Sequence, residues 1–245
     1  MLMMRKLPFI LVAIIAFTTS GCFNIFEELS LNRDGSGTYS MKMDLSGFMT
    51  DDFMKGMLQE AIEQESAASS LSDLEQDSLI LFKSLPEELK ARTGRAEFWD
   101  NVTMRLKISE KDGEFYTITT LQFKDLKDID FFHKNVSSML AENGAGGLLP
   151  GDIVPGGASF RLGKNLITRL PGETVKNPDM EGEEMDMFKM LLGDSKFTTT
   201  YKLPGAVRKT TIPGAKVSGS TVKVETDLIS MMEGKGKVDG EIRYK

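Results

Sequence analysis

Three times along the chain a stretch with strand-like alternation runs into the pair Asp-Leu and then into a stretch with helical period, at Asp44-Leu45, Asp125-Leu126 and Asp227-Leu228. The first and third copies align without a gap, Thr38 to Leu45 against Thr221 to Leu228. An Asp placed just before a helix can accept hydrogen bonds from the free N–H groups of its first turn. We therefore read each Asp as a cap rather than as a catalytic carboxylate. The repeat constrains the fold to strands that deliver helices, and it predicts an α+β class: an antiparallel sheet built from strand-strand-helix units, with the helices packed on one face.

The units can be followed along the chain. Residues 26–32 and 38–43 alternate around Asp34-Gly35-Ser36-Gly37, a hairpin signal. Over residues 46–65 the period turns helical, with Met49, Phe53, Met57 and Ala61 four apart. A second helical stretch is predicted over 72–91, interrupted at Leu85-Pro86, because proline can start a helix but not continue one. Strands at 101–108 and 115–123 flank Lys111-Asp112-Gly113, and a helix follows over 126–140. Residues 143–158 are rich in Gly and Pro and read as a loop. Beyond them come a hairpin at 159–162 and 165–170, a Met-rich helix over 180–192, and strands at 196–203, 215–217, 221–226 and 237–244. The chain thus divides into residues 1–21, an N-terminal part 22–142, the loop 143–158 and a β-rich part 159–245 expected to share one sheet with the first.

The first 21 residues stand apart. Arg5 and Lys6 precede the apolar run from Leu7 to Phe17, followed by Thr18, Thr19, Ser20, Gly21 and Cys22, the one cysteine. Basic, apolar and small residues in that order make an export signal, and the run is too short for a membrane span of about 20 residues. It resembles a bacterial lipoprotein signal, with the small Gly21 before the Cys, although the place three residues before it, usually Leu, holds Thr19. That resemblance implies lipidation of Cys22 with two or three fatty acyl chains such as palmitate, a firm anchor to a membrane. A single cysteine allows no internal disulfide, so packing must stabilise the fold.

Without the signal the net charge is about −8, against −6 for the whole chain. Such a body is not expected to bind nucleic acid or to adhere broadly to anionic lipid surfaces. No second apolar run is long enough to span a bilayer.

Candidate chemistry is sparse. His133, the one histidine, falls at the edge of the helical face formed by Leu126, Ile129, Val136 and Leu140, and reads as a packing residue. One histidine and one cysteine cannot supply a zinc ligand set. Asn32, Asp34, Ser36 and Gly37 fit the start of a calcium loop, but the place of its bidentate Glu is Met43, so a hairpin turn is the better reading. The 16 methionines include spacings (Met54 and Met57; Met185, Met187 and Met190) that could line an adaptable apolar groove or, less plausibly, hold Cu(I), but core packing explains them first. Asp77-Ser78-Leu79 matches a short O-glycosylation pattern known in Bacteroidetes.

A wider resemblance rests on Leu31-Asn32-Arg33-Asp34-Gly35-Ser36-Gly37-Thr38-Tyr39, on Leu85-Pro86-Glu87-Glu88, and on Tyr201 to Val207 leading to Val217-Ser218-Gly219-Ser220-Thr221-Val222. These segments resemble uncharacterised lipoproteins of Bacteroidetes, and the Leu-Pro-Gly segment is similar to LppM-type lipoprotein domains. The resemblance implies an envelope α+β domain and supplies no activity. The expectation is therefore a lipoprotein on a bacterial membrane, the outer one, facing the periplasm. It would act as a non-enzymatic binding or structural module toward an envelope protein or lipid, with no catalytic residues, cofactor or metal. The alternative is a carrier that holds a lipid or client protein in a Met-lined groove.

Overall fold

The computed structural model describes residues 23–65, 73, 75–141, 157–172, 189 and 192–245. Cys22, the expected signal before it, nearly all of the Gly/Pro-rich loop and most of the Met-rich stretch lie outside the described residues.

Twelve strands form two sheets among the described residues. In the larger, β1 (Asn24–Leu31) and β2 (Gly37–Asp44) form the expected hairpin. Its turn is tied by Asp34, whose Oδ1 accepts from the backbone N–H of Ser36 at 3.0 Å and from its hydroxyl at 2.7 Å. Gly37 is required by close approach: a Cβ there would lie 2.0 Å from the carbonyl oxygen of Ser30. β2 pairs with β5 (Glu114–Phe123), β5 with β4 (Val102–Ser109) and β4 with β3 (Gln76–Leu81), all antiparallel. On its other side β1 pairs with β8 (Lys196–Lys202), then come β11 (Thr221–Asp227) and β10 (Lys216–Ser218). The smaller sheet has the order β6 (Phe160–Gly163), β7 (Leu166–Arg169), β12 (Gly240–Tyr244) and β9 (Val207–Thr210).

The fold is α+β with antiparallel pairing dominant, as the strand-to-helix repeat predicts, but four features differ from the sequence reading, the first being β9, a strand that the reading did not place. The pair β1 and β8 is parallel, since alternation shows which face a strand buries but not its direction. The strands after residue 159 do not all join one sheet, because β6, β7, β9 and β12 form their own layer. The helix predicted over 72–91 is largely replaced by β3, a turn at Phe82–Ser84 and a short helix, α3 (Glu87–Arg92). The run Leu79-Ile80-Leu81-Phe82 is short and apolar, a pattern that fits either state until an edge is offered, and β4 offers one. Pro86 still begins the helix, as expected.

Two helices follow the first Asp-Leu pair, α1 (Gly47–Thr50) and α2 (Asp52–Glu65); α4 (Lys127–Ala141) and α5 (Leu228–Met232) follow the other two pairs. The capping role holds at one of the three sites, that of Asp125. Asp125 accepts from the N–H of Lys127, the first residue of α4, at 2.8 Å, whereas Asp44 accepts at 3.1 Å from the N–H of Ser46, which lies before α1, and α1 has no side-chain cap. Asp227 makes no capping bond and pairs instead with Lys196 on the neighbouring strand. Asp125→Ala should therefore lose about 1 kcal/mol, while Asp227→Ala, which removes only an exposed ion pair, should lose under about 0.5 kcal/mol. Urea midpoints at unchanged slope test the difference, and equal losses would contradict it.

The core lies between the large sheet, the small sheet and α4. Ile25, Leu29, Tyr39, Met104, Leu121 and Phe123 from the large sheet meet Ile129, Phe132 and Met139 from α4, all buried. Burial of each such side chain contributes about 1.5–3 kcal/mol. Beside them, Phe82 stacks on the fully buried Trp99 at 5.6 Å, and Phe98 packs on Phe131 of α4 at 4.7 Å. The indole N–H of Trp99 donates to Thr93 Oγ1 at 2.9 Å.

Candidate functional site

β1 buries every second residue, Ile25, Leu29 and Leu31 among them, and one of that set is charged: Glu27 is only 2% exposed. β7 likewise turns Ile167 and Arg169 inward, and Arg169 is 6% exposed. Strand alternation in two different sheets thus aims an anion and a cation at each other across the interior. Arg169 Nη1 donates to Glu27 Oε2 in a close ion pair.

The remaining valences of the pair are filled by neighbours on three elements. Thr199 of β8, opposite Glu27 in the parallel register, donates to Oε2 at 2.9 Å. Tyr39 of β2 donates its hydroxyl to Oε1 at 2.7 Å. Arg169 Nη1 also approaches the hydroxyl of Tyr201 at 3.3 Å, and its guanidinium lies over the rings of Phe160 at 5.6 Å and Phe197 at 6.0 Å. Tyr39 Oη is 2.8 Å from His133 Nε2. A carboxylate can only accept, so the phenolic proton belongs to Glu27, and His133 must be the Nε2–H tautomer that donates to Tyr39.

The electrostatics keep each group in one state. Burial raises the Glu27 carboxyl, but Arg169 and the hydrogen bonds from Arg169 and Tyr39 outweigh it, and the net shift is downward. Burial, joined by the Glu27 charge, raises the Tyr39 phenol well above its ordinary value. Tyr201 is pushed up to about 12, chiefly by burial. His133 is lowered to about 4, mainly because burial disfavours its charged form, with Arg169 adding to the effect and Glu27 and Asp130 opposing it. At neutral pH the cluster is one anion, one cation, neutral phenols and a neutral imidazole, with hydrogen bonds joining large sheet, small sheet and α4. Chemically it acts as a charge-neutral bolt.

The sequence reading placed His133 correctly as a half-buried helix residue but missed what it touches. Glu27 and Arg169 were overlooked altogether, although Glu27 carried a signal: it interrupts the apolar parity of Ile25, Leu29 and Leu31. Lys90 is the third buried charge among the described residues. It is held by Glu87 at 2.6 Å and Asp100 at 3.2 Å, which raise its pKa despite an opposing desolvation.

The other sequence candidates are dispersed. Asn32, Asp34 and Ser36 bond to one another in the hairpin turn. Met41, Met43, Met49, Met54, Met104 and Met139 are packed in the interior, while the side chain of Met57 and residues Met185, Met187 and Met190 lie outside the described residues. Ser78 is half-buried in β3 opposite the buried Leu106, and Asp77 beside it binds Arg105 through two hydrogen bonds of 2.9 and 2.8 Å. No group of three or more His, Cys, Asp or Glu among the described residues could hold a metal ion. Two open clefts lie at the hairpin end of the large sheet. One, of about 510 Å³, is bordered by Arg95, Phe98, Lys124 and Asp128; the other, of about 420 Å³, by Gly35, Leu126, Phe160 and Leu162. In the first, Arg95 is already engaged by Asp128 at 2.7 Å and stacks on Phe131.

Among the described residues no helix is long and apolar enough to cross a membrane. No family model and no curated protein matches the chain. Among solved structures the chain is similar to the NMR structure of the folded domain of the LppM protein of Mycobacterium tuberculosis, at 12% sequence identity over 94% of each chain, with a TM-score of 0.44.

Proposed function

We propose that this chain is a lipid-anchored lipoprotein of the bacterial envelope, tethered through Cys22, whose folded body is a non-enzymatic binding or interaction module. The observation that carries the reading is the placement of the lone cysteine: it closes a basic, apolar and small-residue leader. The fold takes over at once, since Phe23 is buried and β1 begins at Asn24. A lipid on Cys22 would hold a central strand of the large sheet one residue from the bilayer. An interaction role is supported by the buried cluster, whose ionisable groups bond to one another. An outer-membrane site facing the periplasm matches the Bacteroidetes lipoproteins that its segments resemble.

Intact and N-terminal peptide mass spectrometry of the protein from a washed membrane fraction tests the anchor. The expected species begins at Cys22 and carries a thioether-linked diacylglyceryl group. A free thiol at Cys22, or a chain that begins elsewhere, would overturn the reading.

A further inference from the structure

The two sheets treat their solvent-facing charges differently. On the large sheet most are matched in pairs: Arg105 with Asp77, Lys202 with Glu28 at 2.7 Å, Lys42 with Asp44 at 2.6 Å, Lys223 with Glu225 at 3.3 Å, and Lys196 with Asp227, while Lys216 at the edge of the sheet, opposite Lys223, has no ion-pair partner among the described residues. The small sheet is not neutralised. Its inward residues, Ile167 and Ile242 among them, are buried, so the alternate positions point outward. One outward row runs Arg161, Thr168, Glu241, and the next runs Gly163, Leu166, Arg243, Lys209. Lys164, in the turn between β6 and β7, and Arg208, on the edge strand β9, are exposed beside them. Glu241 is the one acid in those rows, and it lies 3.3 Å from Arg243. Among the described residues Arg161, Lys164, Arg208 and Lys209 have no ion-pair partner.

The register sets Lys209 directly opposite Arg243. Like charges facing each other across a strand pair destabilise a sheet; Glu241 offsets the charge of Arg243 but Lys209 has no ion-pair partner among the described residues, and an external anion would relieve the remaining repulsion. The rest of the protein is acidic, which makes this face the exception to its −6 charge.

We propose that the outward face of the small sheet rests on the anionic phosphate headgroups of the bilayer that tethers the chain; this rests on the lipid-anchor reading. The geometry favours the bilayer over other polyanions. β1 begins at Asn24, three residues before Glu27, and Glu27 is the residue that grips Arg169 of the small sheet. At about 3.3 Å per residue, the start of the strand is roughly 10 Å from the point where the small sheet is bolted on. A lipid and a basic face together then form a two-point attachment. The broad repulsion expected from an acidic body is avoided because the basic residues are segregated on one sheet.

The test uses the mature protein from the envelope, reconstituted in vesicles of phosphatidylcholine alone or of equal parts phosphatidylcholine and phosphatidylglycerol. A water-soluble amine reagent labels its lysines, and mass spectrometry compares Lys164 and Lys209 with Lys223 on the large sheet. The expected result is several-fold protection of Lys164 and Lys209 on the anionic vesicles only, abolished by 1 M salt (Debye length about 3 Å). Arg161→Gln combined with Arg243→Gln should restore the labelling of Lys209. Equal labelling on both vesicles overturns the proposal, and so does protection that is the same on the neutral ones. A protein that floats with neither vesicle overturns the anchor itself, an outcome distinct from a failed face.

Discussion

Arg169→Met is expected to cost about 3–5 kcal/mol of folding stability, and Glu27→Met a similar amount. Either change strands a charge that is 6% or 2% exposed, out of reach of water and facing a methyl group. On a typical total of about 5–15 kcal/mol this threatens folding at growth temperature. The double variant, Glu27→Met with Arg169→Met, should be much less damaged than the sum of the two. Both charges leave together, and apolar replacement of a whole buried pair is often neutral. Tyr39 loses its acceptor on Glu27, but His133 can move its proton to Nδ1 and accept from Tyr39 through Nε2, so the phenol keeps one partner. Thr199 is left without Glu27, a residual loss of about 1–3 kcal/mol. Urea denaturation of the four proteins reads the coupling, and strictly additive losses would show that the pair is not a bolt between the sheets.

The second large effect is acid destabilisation through His133. Its folded pKa, about 4, lies below the unfolded value of 6.5, so the unfolded chain binds the proton first. The stabilising contribution of the neutral imidazole is complete above about pH 6.5 and is lost as the pH falls from there through about 4. A shift of that size corresponds to at most about 3 kcal/mol. The shifted carboxyls, Glu27 among them, lose their contributions at lower pH, below their ordinary values near 4, so the upper part of the window belongs to His133. His133→Gln can still offer an N–H to Tyr39 but cannot titrate. Its stability should be flat between pH 6.5 and 4.5, where the parent falls. A parent protein with no slope in that interval would show that the imidazole is not held neutral.

The legibility of the fold differed from element to element. The hairpin around Asp34-Gly35-Ser36-Gly37 was readable because turn residues and alternation agree, and so were the strands around residues 102–123, 196–203 and 215–226, whereas the short edge strand β9 was not placed. The helix α4 was readable from its apolar period and from Asp125, which does cap it. β3 was not, because an apolar run of four residues has no period long enough to choose a state. The capping failure at Asp227 was equally hidden: the same Asp-Leu pair either caps or pairs with Lys196, depending on which strand lies beside it.

By itself the sequence determined most of the elements and their order, because alternation, helical period and turn chemistry are properties of neighbouring residues; the basic-apolar-small order before Cys22 is a local pattern of the same kind and carries the expectation of an export leader. The tertiary structure decided the rest. It alone set β1 parallel to β8, split the strands after residue 159 between two sheets, and brought Glu27 and Arg169 together across 142 positions of chain. It also put Lys209 opposite Arg243, which no local pattern encodes. Pairing partners and register depend on which surfaces meet when the core closes, and that contact between distant segments leaves no period in the sequence.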